Sequence, residues 1–168
     1  HRALTGDPDG VADGALFQVA HRRFFEYYER ENGRRAVAYP GVREGLERMR
    51  GMGLKLACVT NKPMVFTTPL LERCDLARWF DLVLGGDSLP RRKPDPMPML
   101  HVARVFGLAP ADIVAIGDSL NDAQAARAAG LPVFAVPYGY NEGRDVHTLD
   151  VDGIVPSLVA AADRLVAA

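Results

Sequence analysis

The chain has 168 residues, 48% of them apolar and 24% charged, with a formal net charge of −1. That length holds one domain with a real core and at most a small appendage. So even a charge balance leaves no basic footprint for nucleic acid or an anionic membrane, and no apolar run approaches transmembrane length. No signal-peptide pattern is read at the start, and Cys58 and Cys74 form no metal or redox motif. A cytoplasmic protein with a buried free thiol at Cys58 is expected.

In chain order, Leu16, Val19, Ala20, Phe24, Tyr27 and Tyr28 recur at helical spacing, predicting a helix over 15–31 that ends at Asn32-Gly33. Its aromatics are expected to pack a core or a domain contact, with substrate stacking as the other reading. Arg22, Arg23, Arg34 and Arg35 flank it as a solvated face or as contacts for an anion. Pro40-Gly41 resets the chain, and Val42, Leu46 and Met49 mark a short amphipathic helix stopped by Gly51 and Gly53. Leu54–Thr60 (LKLACVT) reads as a strand. Pro63 suits the first turn of a helix over 64–76, and 82–84 reads as a third short stretch of strand type.

Asp95 reads as an N-cap with Pro96 at the first helical position of a helix running to Phe106. Pro94 holds Lys93 extended in the loop before it. The stretch Asp112–Asp122 (DIVAIGDSLND) organises the rest. Its branched residues Ile113, Val114 and Ile116 predict a strand buried on both faces. Gly117 breaks it, and Asp118 and Asp122 flank the turn into a helix over 123–129 closed by Gly130. Residues 131–136 read as a strand, 138–143 as a Gly-rich loop, 153–155 as a last strand and 156–167 as a closing helix. Strands alternating with helices imply a parallel, doubly wound α/β sheet with helices on both faces.

Three strand ends carry candidate chemistry, because ligands of open α/β sheets bind at that edge. Thr60 and Asn61 offer a hydroxyl and an amide beside the backbone N–H groups of a helix start, which suits a phosphate. Lys93 offers a point charge on a constrained loop. Asp118 and Asp122 offer hard oxygen ligands that suit Mg²⁺. Each has a plainer reading: Thr60-Asn61 as a cap, Lys93 as a surface charge, Asp118 as the cap of a helix whose first turn Asp122 favours. Taken together, at successive strand-to-helix junctions, they describe a phosphate and Mg²⁺ site.

VTNKP at 59–63, KPDP at 93–96 and GDSLND at 117–122 resemble the second, third and fourth motifs of the haloacid dehalogenase superfamily, and within it the phosphoglycolate phosphatases. Tyr138-Gly139-Tyr140-Asn141 resembles a loop of the same group. The resemblance implies a Rossmann-like core over 36–168 and part of a helical cap over 1–35. It implies that Thr60, Asn61 and Lys93 hold phosphate, that Lys93 also tethers the nucleophile, that Asp118 binds Mg²⁺ and that Asp122 supports the metal's surroundings. The nucleophile implied is an aspartate that forms an aspartyl-phosphate, with an acid two residues later protonating the leaving oxygen and activating water.

The first motif, an apolar strand followed by Asp-x-Asp-x-Thr, is not found. Asp7-Pro8-Asp9-Gly10 has the acids, but HRALTG before it is no buried strand and Val11 stands in place of the hydroxyl. Asp150-Val151-Asp152-Gly153 has the spacing but falls at the last strand, and Ile154 replaces Thr. The expectation is that the first strand and its nucleophile lie upstream of His1. In the resembled fold that strand is central, between those ending at Thr60 and Asp118, so its neighbours would expose unpaired backbone and the chain alone would be marginally stable or self-associate.

Two function classes are expected. One is a Mg²⁺-dependent phosphomonoester hydrolase of a small phosphorylated metabolite, 2-phosphoglycolate or another sugar phosphate, inactive as this chain alone. The other is a non-catalytic module binding phosphate or a partner. Neither a P-loop nor a dinucleotide fingerprint is present, and His1, His21, His101 and His147 are too scattered for a zinc cluster.

Overall fold

The helix and strand signals fold into two units, His1–Ala36 and Val37–Ala168. The structure is a computed structural model that describes residues 2–7, 10–141, 143 and 145–166. His1, Pro8 and Asp9 of the first acidic motif, Glu142 of the Gly-rich loop and Ala167 of the closing helix lie outside the described residues.

The first unit holds α1 (Arg2–Thr5) and α2 (Gly14–Glu31). The Asp13 carboxylate caps α2 by accepting from the Ala15 and Leu16 N–H groups at 3.0 and 3.1 Å. Residues four apart stack along the helix, with ring centroids 5.5 Å apart for Phe17 and His21, 4.4 Å for His21 and Phe25, and 5.4 Å for Phe24 and Tyr28.

The second unit runs α3 (Val42–Gly51), β1 (Ala57–Val59), α4 (Met64–Arg73), β2 (Leu82–Leu84), α5 (Met97–Phe106), β3 (Ala115–Gly117), α6 (Leu120–Ala129), β4 (Val133–Ala135), β5 (Gly153–Ile154) and α7 (Leu158–Val166). Every strand pairing is parallel, as the alternation of strands and helices requires. The parallel strands form two ladders, β1-β2 and β3-β4-β5, with no backbone ladder between β1 and β3 among the described residues, where a gap between the strands ending at Thr60 and Asp118 was expected. Helices cover both faces. Met99 of α5 and Ala125, Ala126 and Ala129 of α6 pack with Val133 on one face. Met49 of α3 and Ala161 and Ala162 of α7 pack with Val136 and Val155 on the other.

Several boundaries shift from expectation, each for a local reason. The runs 54–60 and 131–136 pair over only three residues, 57–59 and 133–135. The helix expected to reach residue 76 stops at Arg73, because Asp75 takes the left-handed backbone (φ 54°) that ends a helix. Pro96, rather than Asp95, is the cap residue of α5, although the Asp95 carboxylate still accepts from the Met97 N–H at 2.9 Å. Helix α6 begins at Leu120 because Ser119, not Asp118, caps it. Among the described residues, no helix is long and apolar enough to cross a membrane.

Candidate active site

The carboxyl ends of β1 and β3 and the loop before α5 meet at Lys93. Its side chain is only 10% exposed, and that of its partner Asp122 only 12%. The Lys93 ammonium donates to the Val59 carbonyl at 2.5 Å and to Asp122 Oδ1 at 2.6 Å. The plain reading of Lys93 as a surface charge is therefore excluded. The Asn61 amide anchors the same loop by donating to the Lys93 carbonyl at 2.8 Å. Asn61 Oδ1 is buried and accepts no hydrogen bond, an orphan that a donor entering the crevice would satisfy.

Asp122 is held from every side. Its Oδ2 accepts from the Ser119 hydroxyl at 2.6 Å, the Ser119 N–H at 3.1 Å and the Asp118 N–H at 3.2 Å. Ser119 and Asp122 together form a capping box at the start of α6. Burial pushes the Asp122 carboxyl up, but the Lys93 ammonium and the Ser119 hydroxyl outweigh it and hold the group below the ordinary carboxylate range. With both oxygens committed, Asp122 is a support and not an open ligand.

Asp118 differs. Burial, joined by the neighbouring Asp122 carboxylate, pushes its carboxyl above the usual value, while the Tyr140 N–H donated to Oδ2 at 2.8 Å works the other way. A half-buried carboxylate raised in this way is relieved by a cation. No group of three or more His, Cys, Asp or Glu side chains able to hold a metal exists among the described residues. One available carboxylate backed by a second suits Mg²⁺, which keeps several waters and shares phosphate oxygens, and does not suit zinc.

Thr60 stands at the end of β1, where its Oγ1 accepts from the Lys62 N–H at 3.2 Å. The expected offer of free N–H groups at the start of α4 is reduced, because the Asp87 carboxylate takes the Met64 N–H at 2.8 Å. Asp150 and Asp152 lie elsewhere: both pair with Arg127, and Asp152 accepts from the Val133 N–H at the opposite, amino-terminal end of β4.

Three glycines have a role that motif reasoning did not give them. A methyl group on Gly86 would meet the Asn61 carbonyl oxygen at 2.2 Å, one on Gly117 would meet Asp122 Cβ at 2.3 Å, and one on Gly139 would meet Asp118 Oδ2 at 2.0 Å. Each strand end is thus pressed by a glycine whose missing side chain leaves the functional group its place. The Tyr138-to-Asn141 loop completes the rim. Tyr138 packs on Tyr39 with ring centroids 4.7 Å apart, and Asn141 Oδ1 accepts from the Leu120 N–H at 3.3 Å.

A buried lysine, two unequal carboxylates and a hydroxyl-amide pair thus gather at the carboxyl ends of the parallel strands. The family model of the haloacid dehalogenase-like hydrolases matches residues 3–130. A phosphoglycolate phosphatase of Nitrosospira multiformis is 57% identical over 160 residues, covering 95% of this chain and 70% of that protein. One of Thiobacillus denitrificans is 53% identical, covering 96% and 71%. A crystal structure described as a predicted phosphoglycolate phosphatase from Haemophilus somnus superposes with a TM-score of 0.88 at 34% identity, covering 92% of this chain and 68% of that one. The chain belongs to the haloacid dehalogenase-like hydrolase family. Within it, the chain is a homologue of bacterial phosphoglycolate phosphatases.

Proposed function

We propose that this chain carries the phosphate- and Mg²⁺-handling part of a phosphomonoester hydrolase acting on a small phosphorylated acid, 2-phosphoglycolate first among them, in the cytoplasm. The observation that supports this best is the buried Lys93 ammonium, held between Val59 and Asp122 at the rim that Thr60, Asn61 and Asp118 share. Val59 and Asp122 take two of the three ammonium protons, which leaves a third donor for a phosphate oxygen.

In this reading Thr60 donates its hydroxyl proton to a phosphate oxygen and Asn61 lines the same pocket. Lys93 neutralises the equatorial oxygens and fixes the attacking carboxylate. Asp118 holds Mg²⁺, and Asp122 fixes both Lys93 and the turn that carries Asp118. When bound, Mg²⁺ supplies positive charge beside the transferring phosphoryl group. The nucleophile is an aspartate outside the described residues, whose carboxylate displaces the alcohol to give an aspartyl-phosphate that water then hydrolyses. The helical unit at 1–35 serves as part of a cap domain.

Calorimetric titration of 2-phosphoglycolate with Mg²⁺ tests the site. Binding that Lys93→Ala removes supports it, and binding indifferent to Lys93 refutes it. Turnover of an aryl phosphate that EDTA abolishes tests catalysis. The second reading, a module that binds phosphate without hydrolysing it, is favoured by one observation: Asp122, the carboxylate that Lys93 contacts, is committed to Lys93 and Ser119. Binding that stays without turnover even when an upstream Asp-x-Asp-x-Thr segment is supplied selects it.

A further inference from the structure

The loop that grips Asp118 is steadied from outside the three motifs. It leaves β4 at Val136, whose N–H donates to the Gly117 carbonyl at 2.9 Å. It closes with the Tyr140 N–H on Asp118 Oδ2 at 2.8 Å and with Asn141 Oδ1 on the Leu120 N–H. Between those ties it has one packed side chain. Pro137 and Tyr140 are exposed and Gly139 has no side chain, whereas Tyr138 packs on the cluster of Val136, Val155 and Ala161 and against the Tyr39 ring. The crowding of Gly139 on Asp118 leaves no slack, so a shift of Tyr138 passes straight to the carboxylate.

Tyr39 is itself fixed. Pro40 and Gly41 follow it, Gly41 takes φ 77° and ψ −2°, and the Val42 N–H returns to the Tyr39 carbonyl at 3.2 Å. These are the marks of a type II turn, in which proline presets the second position and glycine takes the third without strain. A methyl group on Gly41 would lie 3.4 Å from Val159 and 3.5 Å from Ser157, so the turn rests on the start of α7. The Tyr39 ring is 52% exposed and adds little to the core. Its ring contact is the tilted stack on Tyr138, with centroids 4.7 Å and planes 44° apart.

We propose that Tyr39 is a positioning residue for Asp118: from its rigid turn the ring holds Tyr138, and through Tyr138 it keeps the Tyr140 N–H aimed at Asp118 Oδ2. Tyr39 touches no reacting atom. With Oδ2 fixed in this way, the carboxylate keeps one orientation for a cation. The role rests on the reading of Asp118 as the Mg²⁺ carboxylate, and the test separates the two.

Amide exchange is followed residue by residue in the full chain. The added strength of an aromatic pair corresponds to about two- to tenfold in an equilibrium, so Tyr39→Ala is expected to speed exchange at Tyr140 about threefold or more. Val102 of α5 and Ala126 of α6 keep their rates, and Tyr39→Phe, which retains the ring, leaves Tyr140 as it was. An unchanged rate at Tyr140 overturns the proposal. So does a rise shared equally by Val102 and Ala126, which simple loss of packing would give, or a Phe variant that behaves like the Ala one. Mg²⁺ is then titrated in the presence of inorganic phosphate. Affinity lost in Asp118→Asn and weakened about threefold in Tyr39→Ala supports the role, whereas affinity lost in Asp118→Asn but unaltered in Tyr39→Ala overturns it. Equal Mg²⁺ binding by the original chain and Asp118→Asn removes the metal reading, and the Tyr140 rate then decides the Tyr39 contact by itself.

Discussion

Replacing Gly139 with alanine isolates the grip on Asp118. The new methyl would sit 2.0 Å from Asp118 Oδ2 and 2.1 Å from its Cβ, well inside van der Waals contact. The next residue's N–H is the one that holds Oδ2 at 2.8 Å, so the loop cannot retreat without giving up that bond. Overpacking of this kind costs about 1–3 kcal/mol, and a lost hydrogen bond to a charged group about 1.5–3 kcal/mol. If about half of that sum falls on the geometry of Asp118, Mg²⁺ binding weakens about tenfold to a hundredfold, since about 1.4 kcal/mol is a factor of ten. The assay is titration of Mg²⁺ in the presence of phosphate, with the thermal midpoint as a control for folding. Mg²⁺ affinity unchanged within a factor of two, in a variant that remains folded, would refute both the assignment of Asp118 and the role of the loop.

Lys93→Ala leaves Asp122 as an uncompensated buried charge and is expected to destabilise by about 3–5 kcal/mol, whereas Lys93→Ala with Asp122→Asn recovers most of the loss in a double-mutant cycle. Urea unfolding checks this, and additive losses would count against a direct pair. The Asp81 carboxylate accepts from the Leu56 N–H at 2.8 Å and pairs with Arg50 at 2.6 Å, and these bonds hold it below its ordinary value. A carboxyl depressed in the folded state adds stability above its unfolded pKa of about 3.9, and that stability is lost as pH falls through the folded value. Asp81→Asn should therefore flatten the acid limb of a stability profile, and an unaltered limb would contradict this. At Gly45 a methyl group would lie 2.5 Å from the Leu158 backbone carbon, where α3 crosses α7. Gly45→Ala should lower the melting midpoint despite the better helix propensity of alanine, and a raised midpoint would mean that α7 yields.

Much of the site was legible because its residues announce themselves at strand-to-helix junctions. Thr60, Asn61, Lys93, Asp118 and Asp122 each follow a recognisable apolar run or precede a Pro or a helix former, and the parallel α/β class follows from that alternation. What stayed hidden depends on contacts distant in sequence. Nothing in DIVAIGDSLND says that Asp122 is locked by Ser119 and Lys93 while Asp118 accepts from the distant Tyr140 N–H. The burial of Lys93 between Val59 and Asp122 joins residues 34 and 29 positions apart. Gly86, Gly117 and Gly139 looked like ordinary turn residues, since their reason is the space taken by a neighbour rather than a backbone angle. Strand ends were misplaced for a related cause: a run can be extended over seven residues yet have a ladder partner for only three.

Helix α3 ties the two ladders together. Arg50 reaches Asp81 just before β2, while Arg48 reaches Asp163 of α7 at 2.8 Å, on the side of the second ladder. Exposed pairs such as these contribute about 0–1 kcal/mol each and weaken with salt. No ladder of peptide hydrogen bonds runs from β1 to β3 among the described residues, so cooperativity between the two halves passes through side chains alone. The two ladders are joined instead by apolar packing, Met49 of α3 lying against Val136, Val155 and Ala161 and Ala162 of α7. Raising the ionic strength would therefore loosen the ion pairs of α3 and leave the apolar joint in place.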